Sequence, residues 1–333
     1  RKSLPMRTRV RDLLDKILIR RTRRHVLEFY GESDAADRRF VRVQGKPMYF
    51  PDRRLETVSY SIEATYGAQV YAAIRDLLSD LSYARYTLYG FVLPPYRKLT
   101  HYQKLKTASG TLRGLMRILL FKRFESSVAA FRATLNRLQM IHRRFVEALD
   151  AGFIPAGEDA QAILYDTDSL TDFADLEDDL REASQEYQIE HFNADALREA
   201  IAADLLIFER MAGLIEPITP ELDDKLIALQ TMLRSGRDTY GALLPGTLTT
   251  GKVLIFTEYS DTAQYLYENL RSIVGEKDIR KVDSGTRDML DVVGRFAPRA
   301  NRYTLATPGS ELRVLVTTDV LSEGLNLQDG DHL

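Results

Sequence analysis

Val314-Leu315-Val316-Thr317-Thr318-Asp319-Val320-Leu321-Ser322-Glu323-Gly324-Leu325-Asn326-Leu327-Gln328-Asp329 is the stretch on which the fold class turns. Its first three residues are wholly apolar and mostly β-branched, the signature of a short strand buried on both faces. The run then passes into small hydroxylated residues and a loop carrying Ser322, Glu323, Gly324 and Asn326. A strand end of this composition presents amides and hydroxyls to a phosphate or ribose. Ligand sites of open α/β sheets lie beyond the carboxyl ends of their parallel strands.

Working upstream, Val253-Leu254-Ile255-Phe256 is a second wholly apolar run of strand length. Ser260 or Asp261 is placed to cap the helix after it, whose apolar face is Ala263, Leu266, Leu270 and Ile273. A strand over 279–282 and a helix near 287–296 complete an alternation that predicts a parallel α/β sheet. From Thr65 to about Arg234 the period is helical instead. Its stripes include Val70, Ile74, Leu77, Leu78 and Leu81; Leu112, Leu115, Met116, Leu119 and Leu120; Val128, Phe131, Leu135 and Leu138; and Leu222, Leu226, Leu229 and Leu233. These stripes are expected to be core. The fold class is therefore α/β plus α: a mostly helical region followed by an incomplete parallel α/β lobe. The expected organisation is 1–60 as the end of a preceding domain with its connector, 61–240 as a helical region, and 241–333 as the α/β lobe.

The 333 residues hold 46 Lys and Arg against 48 Asp and Glu, a near-neutral total that conceals segregation. Residues 1–54 carry 16 basic against 7 acidic side chains, and residues 85–144 carry 13 against Glu125 alone. Residues 147–209 reverse the sign, with 18 acidic side chains against Arg181 and Arg198. Basic surfaces attract polyanions over about a Debye length, roughly 10 Å at 0.1 M salt, which points to nucleic acid as the partner class. Basic and acidic helices also pair with one another, so both uses stay open. The acidic run after Ala151–Gly157 is expected to be a solvated excursion. Cysteine is absent, which excludes disulfides, thiolate metal sites and a cysteine nucleophile. No apolar run reaches the roughly 18 residues of a membrane span, and Arg1–Met6 has no signal-peptide core, so a cytoplasmic location is expected.

Several motifs dissolve on inspection. Gly246-Thr247-Leu248-Thr249-Thr250-Gly251-Lys252 matches part of a phosphate-binding loop, but Val253 stands where Ser or Thr should hold magnesium. It also precedes a strand, whereas such a loop must come after one and open a helix. The five histidines show no metal-ligand spacing. Pairs such as Asp178-Asp179 and Asp223-Asp224 read as solvated helix surface. The tyrosine-rich stretch Tyr83, Tyr86, Tyr89, Phe91 and Tyr96 reads as core packing before base stacking.

Residues 252–333 resemble the second RecA-like lobe of superfamily-two helicases. The segment from Lys252 through Thr257-Glu258-Tyr259-Ser260-Asp261-Thr262-Ala263 is similar to that family's fourth motif, Val282–Thr286 to the strand-and-turn after it, and Leu315–Asp331 to the fifth. Upstream, Ile17-Leu18-Ile19-Arg20-Arg21-Thr22-Arg23 resembles the signature closing the first lobe of Swi/Snf-type translocases. Pro51, Arg54, Glu56 and Val58, then Gln69 and Tyr71, stand where that branch has a strand and its following helix. Leu119–Ser127 is similar to a helix of bacterial members that include RNA-polymerase-recycling proteins.

The resemblance implies an ATP-dependent DNA translocase. Gly324 and Asn326 would face the nucleotide, although Asn326 replaces the family's more usual Asp. Thr257 and Thr318 would touch nucleic-acid phosphates, as would the basic cluster Arg20, Arg21, Arg23 and Arg24, and Ser322 with Glu323 would couple the two sites. ATP and Mg2+ would be bound mainly by residues outside this chain. The phosphate-binding, acidic and third motifs are expected before Arg1 and the sixth after Leu333, so the chain is expected to be part of a longer ATPase and inactive alone. Double-stranded DNA or another nucleic acid is the implied partner, with no membrane and no metal held by this chain. The competing reading is a non-enzymatic helical nucleic-acid- or protein-binding regulatory module, with a protein partner on the helical and acidic region.

Overall fold

A computed structural model describes the chain except residues 1–22, 44, 51–53, 158, 161, 164–178, 180, 239, 245, 247 and 322–325; of residues 107–112 only the helical backbone is described. Two units result, Arg1–Thr57 and Val58–Leu333.

In the first unit, helix α1 (Arg23–Tyr30) is followed by a three-stranded antiparallel sheet, β1 (Gly31–Ser33), β2 (Arg39–Val43) and β3 (Lys46–Tyr49), in the order β1-β2-β3. Asp34 organises the first turn. Its carboxylate accepts hydrogen bonds from Ala36 N, Arg38 N and Nε, and Tyr49 Oη, at 2.9–3.0 Å. The backbone bond from Arg38 leads the causes that hold this carboxyl down at about 2.

The second unit begins with four long helices: α2 (Ile62–Asp80), α3 (Thr100–Ser126), α4 (Val128–Asp150) and α5 (Ala194–Ile215). The helix starts are marked by local chemistry. Ser61 Oγ accepts from Ala64 N, Ser127 Oγ from Ala130 N, and Asn193 Oδ1 from Ala196 N, each satisfying a donor the helix itself cannot. Helix α4 carries two cores along its length. Val128, Phe131, Leu135 and Leu138 pack with Ile74, Leu78, Phe124, Phe208 and Met211. Ile141, Phe145 and Leu149 pack with Tyr102, Ile154, Phe192 and Ile201.

After α6 (Asp224–Ser235) the chain enters a parallel sheet of β4 (Val253–Phe256), β5 (Ile279–Val282) and β6 (Val314–Thr317), ordered β4-β6-β5. Register pairs Val253 and Ile279 with Val314 from either side. Alternation along β6 divides the core. Val314 and Val316 pack with α6 and with α7 (Ser260–Val274), through Leu226, Leu233, Ala263 and Leu270. Leu315 faces the opposite layer, where α8 (Met289–Phe296) supplies Val292, Val293 and Phe296 and α9 (Pro298–Asn301) comes next. Helices cover both faces, as the unbroken apolar runs of β4 and β6 require. The fold is mixed α/β with a dominant helical part. Among the described residues, no helix is long and apolar enough to cross a membrane.

Five expectations need correction, the first being that Asp223 is not solvated surface but buried, capping α6 by accepting from Leu226 N at 3.3 Å. Residues 54–60 form no strand, and the chain enters α2 directly through the Ser61 cap. The stretch 84–96 is a series of 3-10 turns, because Gly90, Pro94 and Pro95 break an α-helix. Its aromatic side chains pack inward nonetheless: Tyr83 is buried, and Tyr96 stacks on His191 at 3.7 Å between ring centroids. The stripe 222–233 is shorter than its spacing suggests, since Leu222 lies in a 3-10 turn, exposed, ahead of α6. Finally, Leu115 and Leu119 belong to no core and are exposed on α3.

Candidate nucleic-acid and nucleotide edge of the parallel sheet

Three strands end side by side, and the residues just beyond each are polar. Thr257 comes after β4 and donates its backbone N–H to Thr317 O at 2.9 Å. Thr318 comes after β6, donates to Val282 O at 3.3 Å, and is buried. Since Phe256 pairs with Thr317, the two threonines share one rim of the sheet. After β5, Asp283 closes a turn in which its carboxylate accepts from Gly285 N and Thr286 Oγ1, both at 3.2 Å. Lys281 Nζ donates to the same carboxylate at 2.6 Å, the main reason its pKa lies below the ordinary range. Burial and ladder bonds fix the positions of these groups; both threonine amides are spent on the ladder, so the edge carries two hydroxyls and one carboxylate.

The remaining candidate residues are dispersed. Gly324, Ser322 and Glu323 lie outside the described residues, as do Arg20 and Arg21. Asn326 is engaged in the fold: its Nδ2 donates to Ala300 O at 3.1 Å, and its Oδ1 accepts from Gln328 N at 3.3 Å. Those two bonds leave the amide turned to α9 rather than held ready for a ribose. Arg23 and Arg24 open α1 in the first unit, both exposed, with the Arg23 guanidinium 5.6 Å from the Phe50 ring centroid. The described residues thus bring Thr257, Thr318 and Asp283 to one rim of the sheet and leave Asn326, Arg23 and Arg24 apart from it in their contacts. Among them, no cluster of three or more His, Asp or Glu side chains could hold a metal ion. Lys252 is also committed, donating to Phe296 O and pairing with Glu311 Oε2, both at 2.6 Å.

The expected cap of α7 is absent, because Ser260 and Asp261 are already its first two helical residues and the cap position falls on Tyr259, which makes no side-chain bond. The carboxylate of Asp261 is turned instead to a remote segment, 2.7 Å from Arg123 Nη1. The same guanidinium lies 3.9 Å from the Tyr259 ring centroid. Thr262 Oγ1 shares hydrogen bonds with Ser126 Oγ at 3.0 Å and Ser127 Oγ at 2.9 Å. Lys122 approaches Glu258 at 3.6 Å. The α3–α4 corner therefore grips the loop that carries Thr257. The two complementary strings, Lys122-Arg123…Ser126-Ser127 and Glu258-Tyr259…Asp261-Thr262, were the available signal. A pairing across more than a hundred residues leaves no periodicity to read.

A second brace lies beside it. Lys225 Nζ donates to Glu125 O at 3.2 Å and Ser126 O at 3.0 Å, supplying donors to the last carbonyls of α3. Desolvation lowers the pKa of this ammonium. Asp223 Oδ2 accepts from Tyr265 Oη at 3.0 Å, and burial together with that carboxylate drives the phenol upward. Arg123→Ala removes a partly exposed ion pair and a ring contact, and should cost about 1–2 kcal/mol. Urea denaturation measures the loss. A double-mutant cycle with Asp261→Ala should return a coupling of about 0.5–1 kcal/mol, and a coupling of zero would mean that the pair adds nothing to stability.

Comparison with known proteins yields no matching family model, no matching curated protein and no matching solved structure.

Proposed function

We propose that this chain is part of an ATP-dependent nucleic-acid translocase, supplying the second-lobe edge that grips the backbone of duplex DNA. The observation that carries the reading is the shared rim of Thr257 and Thr318 beyond the carboxyl ends of adjacent parallel strands. It is joined by the order of motif-like segments along the sequence. Hydroxyls held in place by a sheet suit phosphate oxygens, contacts that position a protein on a duplex without reading sequence. The first unit contributes charge to the same task. Arg23, Arg24, Arg39 and Lys46 are exposed there, and arginine forks match phosphate geometry.

In this reading the nucleotide is held chiefly by residues outside the chain. When bound, ATP and Mg2+ would supply the phosphoryl-transfer chemistry. This chain's own residues hold the backbone and keep the Thr257 loop in shape through Arg123.

Anisotropy titration of labelled duplex DNA against the 333-residue chain tests this. Binding should be measurable near 50 mM salt and fall about 100-fold or more by 200 mM, as release of several counterions requires. Replacing Arg20, Arg21, Arg23 and Arg24 together with Ala should flatten the slope of log K against log salt by about 2–4. An unaltered slope takes the cluster out of the interface. No binding at low salt sinks the translocase reading for this chain and favours the non-enzymatic module.

A further inference from the structure

Helix α3 has a solvent face that its sequence does not lead one to expect. Leu115, Ile118 and Leu119 recur at i, i+3 and i+4, yet they are 45%, 58% and 37% exposed. Beside them runs a groove of about 380 Å³ between α2 and α3. Its floor is Leu78, Ile118 and Phe121, and its walls are Arg75, Ser79 and Arg117. Isolated exposed leucines are ordinary, but three exposed aliphatic side chains together on one helix, Ile118 among them also lining the groove, mark a contact surface.

Charge around the groove selects the occupant. Arg113 and Arg117 stand one turn apart, and among the described residues neither has a carboxylate partner; Arg117 donates instead to Ser79 Oγ at 2.7 Å. Lys122 extends the row, its approach to Glu258 being long and exposed. Arg75 is turned to its neighbour Asp76, and Glu125 closes the far end, so the net sign stays positive. A second copy meeting this face across a two-fold axis would set arginines against arginines. A nucleic-acid backbone would satisfy the cations but leave three aliphatic side chains against phosphate and sugar. An acidic amphipathic helix satisfies both sets: apolar side chains fill the groove and carboxylates meet Arg113 and Arg117.

We infer that the α2–α3 groove is a docking site for an acidic amphipathic helix of a partner protein. The inference does not depend on the translocase reading, since it uses none of the sheet-edge residues.

The test uses the 333-residue chain and a fluorescent helical peptide of about 18 residues, with leucine at i, i+3, i+4 and i+7 and glutamate or aspartate elsewhere. Binding at micromolar Kd is expected, weakened about tenfold by Ile118→Asp and about fivefold by Arg117→Glu. Leu115→Asp is the second apolar variant, and circular dichroism verifies that each variant keeps its helices. A control peptide of the same composition with scrambled leucines should bind about tenfold more weakly. Equal binding of the scrambled peptide overturns the proposal in favour of bare charge attraction. Displacement of the peptide by duplex DNA through Arg117 and Ile118 overturns it in favour of a nucleic-acid face. A dimer that Ile118→Asp dissolves overturns it in favour of self-association, and absence of peptide binding overturns it outright.

Discussion

Asp204→Ala should lower the stability of the second unit by about 3 kcal/mol, and its melting temperature by roughly 10 °C. Asp204 lies on α5, almost wholly buried, and its carboxylate receives three donors from a segment more than a hundred residues away. Ser82 N donates at 2.7 Å, Ser82 Oγ at 2.9 Å and Ala84 N at 2.9 Å. The bonds fasten the first 3-10 turn after α2, next to the left-handed Tyr83 at φ 55°. Alanine would strand the Ala84 amide without water and leave the Ser82 donors half-hydrated, and an unmade buried bond costs about 1–3 kcal/mol. Asp204→Asn keeps one acceptor oxygen but turns an amide NH2 toward the other donors, so it should lose about half as much. Thermal and urea unfolding of both variants decide the matter. An alanine variant within about 0.5 kcal/mol of the parent would mean that the three bonds are replaced by solvent.

Acid should weaken the same unit through His142. This imidazole is buried on α4, with Nδ1 donating to Leu138 O at 2.7 Å and its ring against Phe208 at 4.9 Å between centroids. Burial is the main reason its pKa falls to about 3, and the nearby Arg85 guanidinium pushes the same way. The folded chain therefore keeps His142 neutral, while the unfolded chain takes up a proton near the ordinary value of 6.5. The unfolded state binds more protons between those limits, so stability is complete above pH 6.5 and declines as the pH falls toward 3. The decline from this group is about 1.4 kcal/mol per pH unit, or about 3 kcal/mol by pH 4. In His142→Leu the backbone bonds of α4 remain and that part of the slope should vanish. Urea midpoints at successive pH values for parent and variant will diverge if this is right, and run parallel if it is wrong.

The sheet was legible because β4 and β6 open on unbroken apolar runs, while β5, Ile279-Arg280-Lys281-Val282, was placed by its position between two helical stretches. Val253–Phe256, Ile279–Val282 and Val314–Thr317 appear where expected, paired in parallel. The three-stranded antiparallel sheet of the first unit was not legible. Its strand β2 reads Arg39-Phe40-Val41-Arg42-Val43, with burial on two successive residues instead of alternate ones, so period two never shows. The α3 stripe misled for the opposite reason. Periodicity reports that a helix has an apolar face, and it does not report what covers that face. Of the candidate site, Thr257 and Thr318 were singled out only through the resemblance, and the structure shows no more than that each stands just beyond a strand end. The grip of Arg123 on Asp261 and Tyr259 was not, since it joins two remote segments through side chains alone.

The strand order β4-β6-β5 has a consequence for how the chain is made. During synthesis β4 and β5 emerge first, but they are not neighbours and share no hydrogen bonds. Both wait, with a bare edge each, for residues 314–317 to leave the ribosome. The helical half has by then been complete for some eighty residues, since α6 ends at Ser235. The nascent chain thus passes through a stage in which a finished bundle trails two orphan strands, the interval in which edge pairing with another chain is most exposed. Closing that interval falls to the four residues of β6, all of them buried.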